Sequence, residues 1–405
     1  MAAALAMYSP GPVDVPDPAQ VSYLARPPIF INSDLGFVLA NGVSSGSGTE
    51  ADPFVIEGWD IDGPDGLATE PAAVRIENTT AHFVVRGCYL HTGINGIYFK
   101  NLTNGTAYDN LCKNNTRQGI YLNTASNTTL VENNCTENLR TGISVYYSTD
   151  IDIISNTCWL NEWYGLVVYE SHYSLVDLND CRDPVQAYPA MFLSGSNYNN
   201  VTRNTCSGSS SYGIYLSSSA GNTVAANHVE GNGGGILVGG STGNTLSFNN
   251  VSFNTGEGIY ISTSSSFNEV SNNTLWNNTG YCVRISASSY NTVYNNTFMY
   301  NNGANDILDL GRLQARDDGV ENRWNLSGRG NYWADLTLPD ADGDGIVDDP
   351  NDYPLAGSAG AYDRYPLAVP TVPIPEFGPL AFLLAAFAGL VVAMARMRAR
   401  TGQAE

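Results

Sequence analysis

Apolar residues along this chain alternate with polar ones in short bursts, and the bursts return at a fixed interval. The clearest burst has the form Gly-Ile-Tyr-Leu. It stands at Gly96–Phe99, Gly119–Leu122, Gly142–Val145, Gly165–Val168, Gly213–Leu216, Gly235–Val238 and Gly258–Ile261, with weaker copies at Ala73–Ile76, Ala190–Leu193 and Cys282–Ile285. Successive copies start 23, 23, 23, 23, 25, 23, 22, 23 and 24 residues apart. Period-two alternation places the first and third apolar residues on one side of a strand and the middle one on the other. The middle positions are Arg75, Tyr98, Tyr121, Ser144, Val167, Phe192, Tyr215, Leu237, Tyr260 and Arg284. Turns rich in Asn, Gly and Ser separate the strands. A unit this short cannot bury its own apolar face and must stack on the next one. The pattern predicts an all-β chain, a right-handed single-stranded parallel β-helix with coils of about 23 residues. Leucine-rich repeats share that length, but their Leu-x-x-Leu-x-Leu spacing does not occur.

A second period supports the register. Asn110, Asn133, Asn156, Asn179, Asn204, Asn227, Asn249, Asn272 and Asn295 recur at steps of 22 to 25. Stacked about 4.8 Å apart, their amides form a hydrogen-bonded ladder. Two places after each lies a small slot: Cys112, Cys135, Cys158, Cys181, Cys206, Val229, Val251, Thr274 and Thr297, with Cys88 assigned one coil earlier. Val in the same slot marks it as apolar and inward, so the thiols are expected to be buried and free. Disulfides between neighbouring coils and a copper-binding column are the alternatives.

The ends read differently. Phe377–Ala395 holds 19 residues without a charge, enough at 1.5 Å per residue to span roughly 30 Å of hydrocarbon. Arg396, Arg398 and Arg400 follow, which by the positive-inside rule puts that flank in the cytoplasm and residues 1–376 outside. Pro375-Glu376-Phe377 immediately precedes the apolar run. Such a motif, an apolar helix and an Arg cluster resemble the tripartite C-terminal sorting signals of archaeal surface proteins. That resemblance implies cleavage and re-anchoring. The N-terminal stretch falls short of a full signal peptide. The expected division is a leading segment 1–29, the β-helix 30–330, a cap 331–366, a Pro-rich spacer 367–376, a transmembrane helix 377–395 and a basic tail 396–405.

Composition narrows the function. The chain of 405 residues carries 18 Lys and Arg against 39 Asp and Glu, a formal charge of −21. That balance disfavours nucleic acid, whose phosphates need clustered cations. It equally disfavours docking on anionic lipid.

Three sets of residues carry possible chemistry. The first is Asp340, Asp342, Asp344, Ile346, Asp348 and Asn351. Carboxylates at positions 1, 3, 5 and 9, with Gly345 at 6, match the start of a calcium loop, and Ile346 would lend its carbonyl. Asn351 stands where a bidentate Glu is usual, and Asp349 or Asp352 are alternatives. With no flanking helices, the expectation is structural Ca²⁺ closing the C-terminal end. The second set is aromatic: Tyr98, Tyr121, Tyr146, Tyr147, Trp163, Tyr164, Tyr169 and Tyr188. These residues would either platform sugar rings or simply stack on one another. The third is acidic. Asp177, Asp180, Arg182 and Asp183, with Glu170, lie in the one irregular coil and are candidates for acid–base catalysis on polysaccharide. A solvated turn is the alternative for 177–183. Twelve Asn-x-Ser/Thr sequons occur, of which Asn101 and Asn104 sit in a turn suited to glycosylation, while Asn272 and Asn295 are assigned to the buried ladder.

The flanking stretches complete the picture. Asn41–Glu50 and Asp52–Trp59 precede the repeats. Gly330–Asp335, Asp340–Asp348 and Asp363–Leu367 follow them. With Asn-rich coils between, the chain resembles the NosD-like β-helix surface proteins of archaea. That family is named for a periplasmic factor in copper-enzyme maturation and shares its fold with carbohydrate-binding proteins and sugar hydrolases. Four scattered His residues and no His-x-His or Cys-x-x-Cys make copper a poor fit. The expectation is a non-enzymatic surface protein whose partner is a polysaccharide, a surface glycan or another surface protein. The alternative is a polysaccharide lyase, epimerase or hydrolase.

Overall fold

The computed structural model describes residues 23–64, 71–348 and 352–371. The apolar segment 377–395, the Pro-Glu-Phe motif, the Arg cluster and Asn351 lie outside the described residues. Among the described residues, no helix is long and apolar enough to cross a membrane.

The chain winds into stacked coils. One coil comprises the strands Ile143–Tyr146, Thr149–Ile154 and Thr157–Trp159, and the next comprises Leu166–Tyr169, Leu175–Asp177 and Asp180–Arg182. Each strand pairs in parallel with its counterpart one coil on, for instance Ile143 with Leu166 and Tyr146 with Tyr169. One side of the stack is a 13-stranded sheet, and a second sheet covers the rest. Antiparallel strand pairs among the described residues lie at the ends, in Val43–Ser45 with Phe54–Glu57 and in Tyr353–Pro354 with Tyr362–Asp363, and isolated antiparallel bridges join Leu326 to Arg329 and Ile346 to Leu367. The second and fourth residues of every Gly-Ile-Tyr-Leu copy point inward. Ile97, Ile120, Ile143, Leu166, Met191, Ile214, Ile236 and Ile259 form one fully buried column, and Phe99, Leu122, Val145, Val168 and Leu193 begin another. Burying one such side chain contributes about 1.5–3 kcal/mol, and only stacked coils supply the burial.

Most corners of the coil follow one pattern. A residue with left-handed backbone is followed by a short polar residue turned inward, though Leu102, Ala125 and Ile151 hold that place at three corners. Tyr147-Ser148, Ser155-Asn156, Leu160-Asn161, Glu170-Ser171, Tyr173-Ser174 and Leu178-Asn179 are examples, with φ of the first member between 43° and 57°. The inward residue must satisfy backbone groups exposed by the bend, and only a short amide or hydroxyl reaches them. Three Asn rows and one Ser row result. In the first row Asn110, Asn133, Asn156, Asn179, Asn204, Asn227, Asn249, Asn273, Asn296 and Asn331 each pass their amide N–H to the next Oδ1, at 2.9–3.0 Å.

Two assignments made from spacing are corrected. The row uses Asn273 and Asn296, not Asn272 and Asn295. Thr263 and Ser264 are both left-handed, so that corner holds one extra residue and everything after it shifts by one place. The inward slot in the last coils is therefore Leu275, Phe298 and Trp333 instead of Thr274 and Thr297. Asn272 and Asn295 become half-buried corner residues. Cys88 likewise leaves the thiol column. Leu90 pairs with Cys112, while Cys88 heads the Asn row and its N–H donates to Asn110 at 3.2 Å.

Cys112, Cys135, Cys158, Cys181 and Cys206 do form one column, and every Cys in the chain is free and buried. Burial raises the thiols of Cys135 and Cys206, and pushes that of Cys88 up to about 12. A thiol reagent added to the native protein should react with none of the seven cysteines within minutes, and with all seven once guanidinium unfolds the chain. Rapid native labelling would break this picture of the column.

All three Asn rows end, at the C-terminal pole, on a buried aspartate. Asn331 donates through its backbone N–H (2.7 Å) and amide (3.2 Å) to Asp363. Gln314 takes over the second row from Asn301 and donates to Asp335 at 2.6 Å. Asn322 ends the third row on Asp317 at 3.0 Å. Trp333, Tyr353 and Trp324 supply a further donor to Asp363, Asp335 and Asp317 respectively, at 2.9, 3.0 and 2.9 Å.

Candidate functional site

The middle residues of the strand motif do form one outward column. Phe30, Arg75, Tyr98 and Tyr121 pair in register, and the column continues through Ser144, Val167, Phe192, Tyr215, Leu237, Tyr260 and Arg284 to Arg316. Its upper end is covered. Tyr98 is 0% exposed and Tyr121 9%, packed with Ala72, their rings stacked at 5.0 Å. These two tyrosines stabilise the wall and present no face to solvent. Tyr146, Tyr147 and Tyr169 continue the contact at 5.1–6.3 Å in tilted and edge-on pairs.

The middle of the column opens. Trp163, Tyr164 and Tyr188 are half-buried and gather around one point, with Tyr188 5.6 Å from Trp163 and 4.7 Å from Tyr164. Tyr164 stacks on Phe192 at 5.5 Å, and Phe192 meets Tyr215 at 5.1 Å. The guanidinium of Arg140 lies 4.7 Å from the Trp163 ring centroid. Burial pushes the Tyr164 phenol up to about 12, so it stays a neutral hydrogen-bond donor. Tyr188 reaches this cluster because the turn after Arg182 is long and carries Pro184 and Pro189, which interrupt the second Asn row after Asn161. Phe192 and Tyr215 are strand-motif residues whose part in the cluster depends on that long turn, and spacing alone gives no sign of it.

Two acids of the irregular coil are paired with arginines. Asp177 is buried and held by Thr202 (2.7 Å) and by the Arg203 guanidinium, whose Nε stands at 2.9 Å. Asp180 and Arg182 point outward on either side of Cys181 and pair with each other at 2.5 Å. Arg182 also lies over Trp159 at 5.3 Å. Burial raises the Asp180 carboxyl, and Arg182 opposes the rise. Asp183 is an exposed corner residue. Leu178 and Asn179 separate Asp177 from Asp180, and an Arg sits beside each of those two acids.

The carboxylates of Asp340, Asp342 and Asp344 do come together, each offering an oxygen within 4.8 Å of the others. The loop is closed by its own acids. Asp340 accepts from Gly343 (2.9 Å) and Gly345 (3.0 Å), and Asp348 accepts from Ala341 at 2.5 Å. Gly343 and Gly345 have φ of 76° and 86°, conformations that favour glycine. Val347 beneath is buried and bonds Pro366, while Leu367 bonds Asn331, the last rung of the first Asn row. Among the described residues this is the one cluster of three or more metal-type side chains. His91 and His228 are paired with Asp60 and Glu230 instead.

A family model described as a right-handed β-helix region matches residues 141–298. This is a right-handed β-helix protein. A second model, described as periplasmic copper-binding protein (NosD), matches residues 65–205 of the β-helix. No curated protein matches it. Among solved structures, the periplasmic alginate epimerase AlgG is 15% identical, with 61% of this chain and 74% of that one covered and a TM-score of 0.37. The A-module of Azotobacter vinelandii mannuronan C-5 epimerase AlgE6 is 17% identical over 74% and 73%, with a TM-score of 0.36. The Dettilon tailspike protein is 15% identical over 76% and 64%, with a TM-score of 0.41. These likenesses carry no argument about what the β-helix binds.

Proposed function

We propose that this β-helix is a non-enzymatic protein of the cell surface that holds a glycan against the Trp163 face. One observation carries the reading: Trp163, Tyr164 and Tyr188 form a half-exposed aromatic cluster beside Arg140, fixed on a rigid wall. Aromatic faces take the C–H side of a sugar ring, and the phenols and guanidinium offer donors for its hydroxyls. The ion-paired acids support binding over catalysis, since catalysis needs acids that converge on one bond. The acidic balance and the apolar run at 377–395 support a place outside the cell, anchored at the C-terminus.

The test is a polysaccharide panel scored for retention and chain shortening together. Retention without shortening is expected, weakened about tenfold in Trp163→Ala. Shortening that disappears in Asp180→Asn would make the protein an enzyme and end this reading.

Within the same proposal, Ca²⁺ closes the C-terminal pole. Asp340, Asp342, Asp344 and Asp348 fit a hard cation. They offer oxygen only, and none has a Lys or Arg partner among the described residues. The ion would neutralise three carboxylates already held together and stiffen the loop that bonds Pro366 and abuts Asn331. Saturating Ca²⁺, at about a hundred times its Kd, should stabilise the fold by about 2.7 kcal/mol and raise Tm by a few degrees. Asp342→Asn should remove the shift. An unchanged Tm would sink the calcium cap.

A further inference from the structure

One corner of the coil carries an exposed aromatic row. Its successive residues are Tyr173, Tyr198, Gly221, Gly243, Phe267 and Tyr290. Backbone bonds tie them into one column: Tyr173 N–H donates to Asn197 O, Tyr198 to Ala220, Gly221 to Thr242, Gly243 to Ser266 and Phe267 to Ser289, each acceptor just before the next corner. All six have left-handed φ, between 54° and 65°. Bulky aromatic side chains are rare there, and such strain persists only where the surroundings enforce it. Yet Tyr173, Tyr198, Phe267 and Tyr290 are 61%, 58%, 65% and 48% exposed.

The rings stand as fins. Tyr173 stacks on Tyr198 at 5.4 Å with planes 8° apart, and Phe267 on Tyr290 at 5.2 Å with planes 6° apart. Coplanar rings lying flat side by side could not approach so closely, so their faces look along the solenoid axis. The pairs are parted by two glycines. Three coil spacings of about 4.8 Å put Tyr198 and Phe267 roughly 14 Å apart. Tyr198 leans over Gly221, 2.7 Å from where a Cβ would lie, whereas nothing comes within 4 Å of that point on Gly243. The slot is therefore open over Gly243. Beside it the outward residues of the next strands are small: Thr223, Ala225, Thr245 and Ser247. Phe248, 60% exposed, closes the far side. The charged groups on this face are Asp150 and Asp152 above the fins, the Arg203–Asp177 pair, Glu269 (bonded by Tyr294 and Ser271), and Glu321 and Arg323 at its lower end. Acids outnumber arginines, so the face repels an anionic chain.

We propose that this slot is a second glycan site, and that it takes a neutral polysaccharide. Two aromatic faces bound a gap of sugar-ring size, its floor offers hydroxyls, and the surplus of acids on this face disfavours an anionic chain. It rests on the reading that the protein binds glycans, but lies on a different wall from Trp163. The experiment measures binding of uncharged glucans, mannans and xylans, with alginate for contrast, to the full chain and three variants. Gly243→Tyr is the decisive one. It fills the slot in a column that carries Tyr and Phe at the same φ elsewhere, so folding survives at the cost of that left-handed strain, a fall in Tm of a few degrees. Phe267→Ala removes one face, and Trp163→Ala spares the slot. The expected result is a neutral glycan whose Kd rises about tenfold in Phe267→Ala and more in Gly243→Tyr, but is unchanged in Trp163→Ala. Binding lost in Trp163→Ala and untouched in Gly243→Tyr overturns the slot and leaves the proposed function standing. Preference for alginate overturns its neutral character. Absence of any glycan binding, or a fin-dependent association of two copies instead, overturns both.

Discussion

Asn204→Leu should cost the protein about 4–6 kcal/mol, more than any substitution on its surface. Asn204 sits mid-row. Its Oδ1 accepts the backbone N–H (2.9 Å) and amide (3.0 Å) of Asn179, while its own amide donates to Val176 O (2.9 Å) and Asn227 Oδ1 (3.0 Å). Leu matches the size and supplies none of these. The two donors of Asn179 and the carbonyl of Val176 are left buried without that partner, at about 1–3 kcal/mol each. The loss does not stay local, because each coil is held only by its neighbours. Asn277, an exposed corner residue with φ of 54°, is the control, and Asn277→Gly, which keeps the left-handed corner, should cost under about 0.5 kcal/mol. Urea melts of the two variants decide it. A drop below about 2 kcal/mol for Asn204→Leu would mean that the rows follow the fold instead of holding it.

The second large effect is a dependence on pH. Burial pushes the Asp363 carboxyl up to about 6 from its ordinary 3.8, and the donors Trp333, Asn331 and Tyr365 keep it from rising further. Between those values the native chain holds a proton that the unfolded chain has released. Stability from this group is therefore complete below about pH 4 and is lost as pH rises through 6. At 1.36 kcal/mol per pKa unit, the total is roughly 3 kcal/mol. Asp335, raised by burial as well, adds in the same direction. Asp34, Glu57, Glu230 and Asp318 are held below their usual range and pull the other way at lower pH. The difference between wild type and Asp363→Asn isolates the term. The variant should lose the fall in Tm that wild type shows between pH 4.5 and 7. Parallel curves would mean that Asp363 does not titrate in this window.

The strand motif made the coil legible because apolar residues alternating at a fixed step admit one stacking register. Ile143, Leu166 and Met191 lie on top of one another as their spacing requires. The corner rule was less legible. Backbone handedness at Ser264 is invisible in a row of serines, and a single extra corner residue moved the amide row from Asn272 to Asn273. Cys88 misled for a related reason, since at the top of the stack the thiol stands in the amide place. The acids of the irregular coil drew notice by their number in sequence, yet charge attracts its opposite, and Arg182 and Arg203 are beside them. The fins were missed altogether. They fall in turns, outside the frame of the strand motif, where an aromatic residue looks like noise until the corners are stacked.

The direction of the amide rows has an electrical consequence. Within the three buried rows each Asn passes an amide N–H toward the C-terminal pole, so these dipoles add as they do in an α-helix, with the positive end at the bottom. Asp317, Asp335 and Asp363 occupy that end as its acceptors. The heads of the rows differ: Asn110 Oδ1 accepts from the Cys88 N–H, whereas Asn115 Oδ1 is buried inside the stack with no hydrogen-bond partner. The interior of the solenoid is thus polar along its axis and plugged below, like a row of magnets set end to end against a stop.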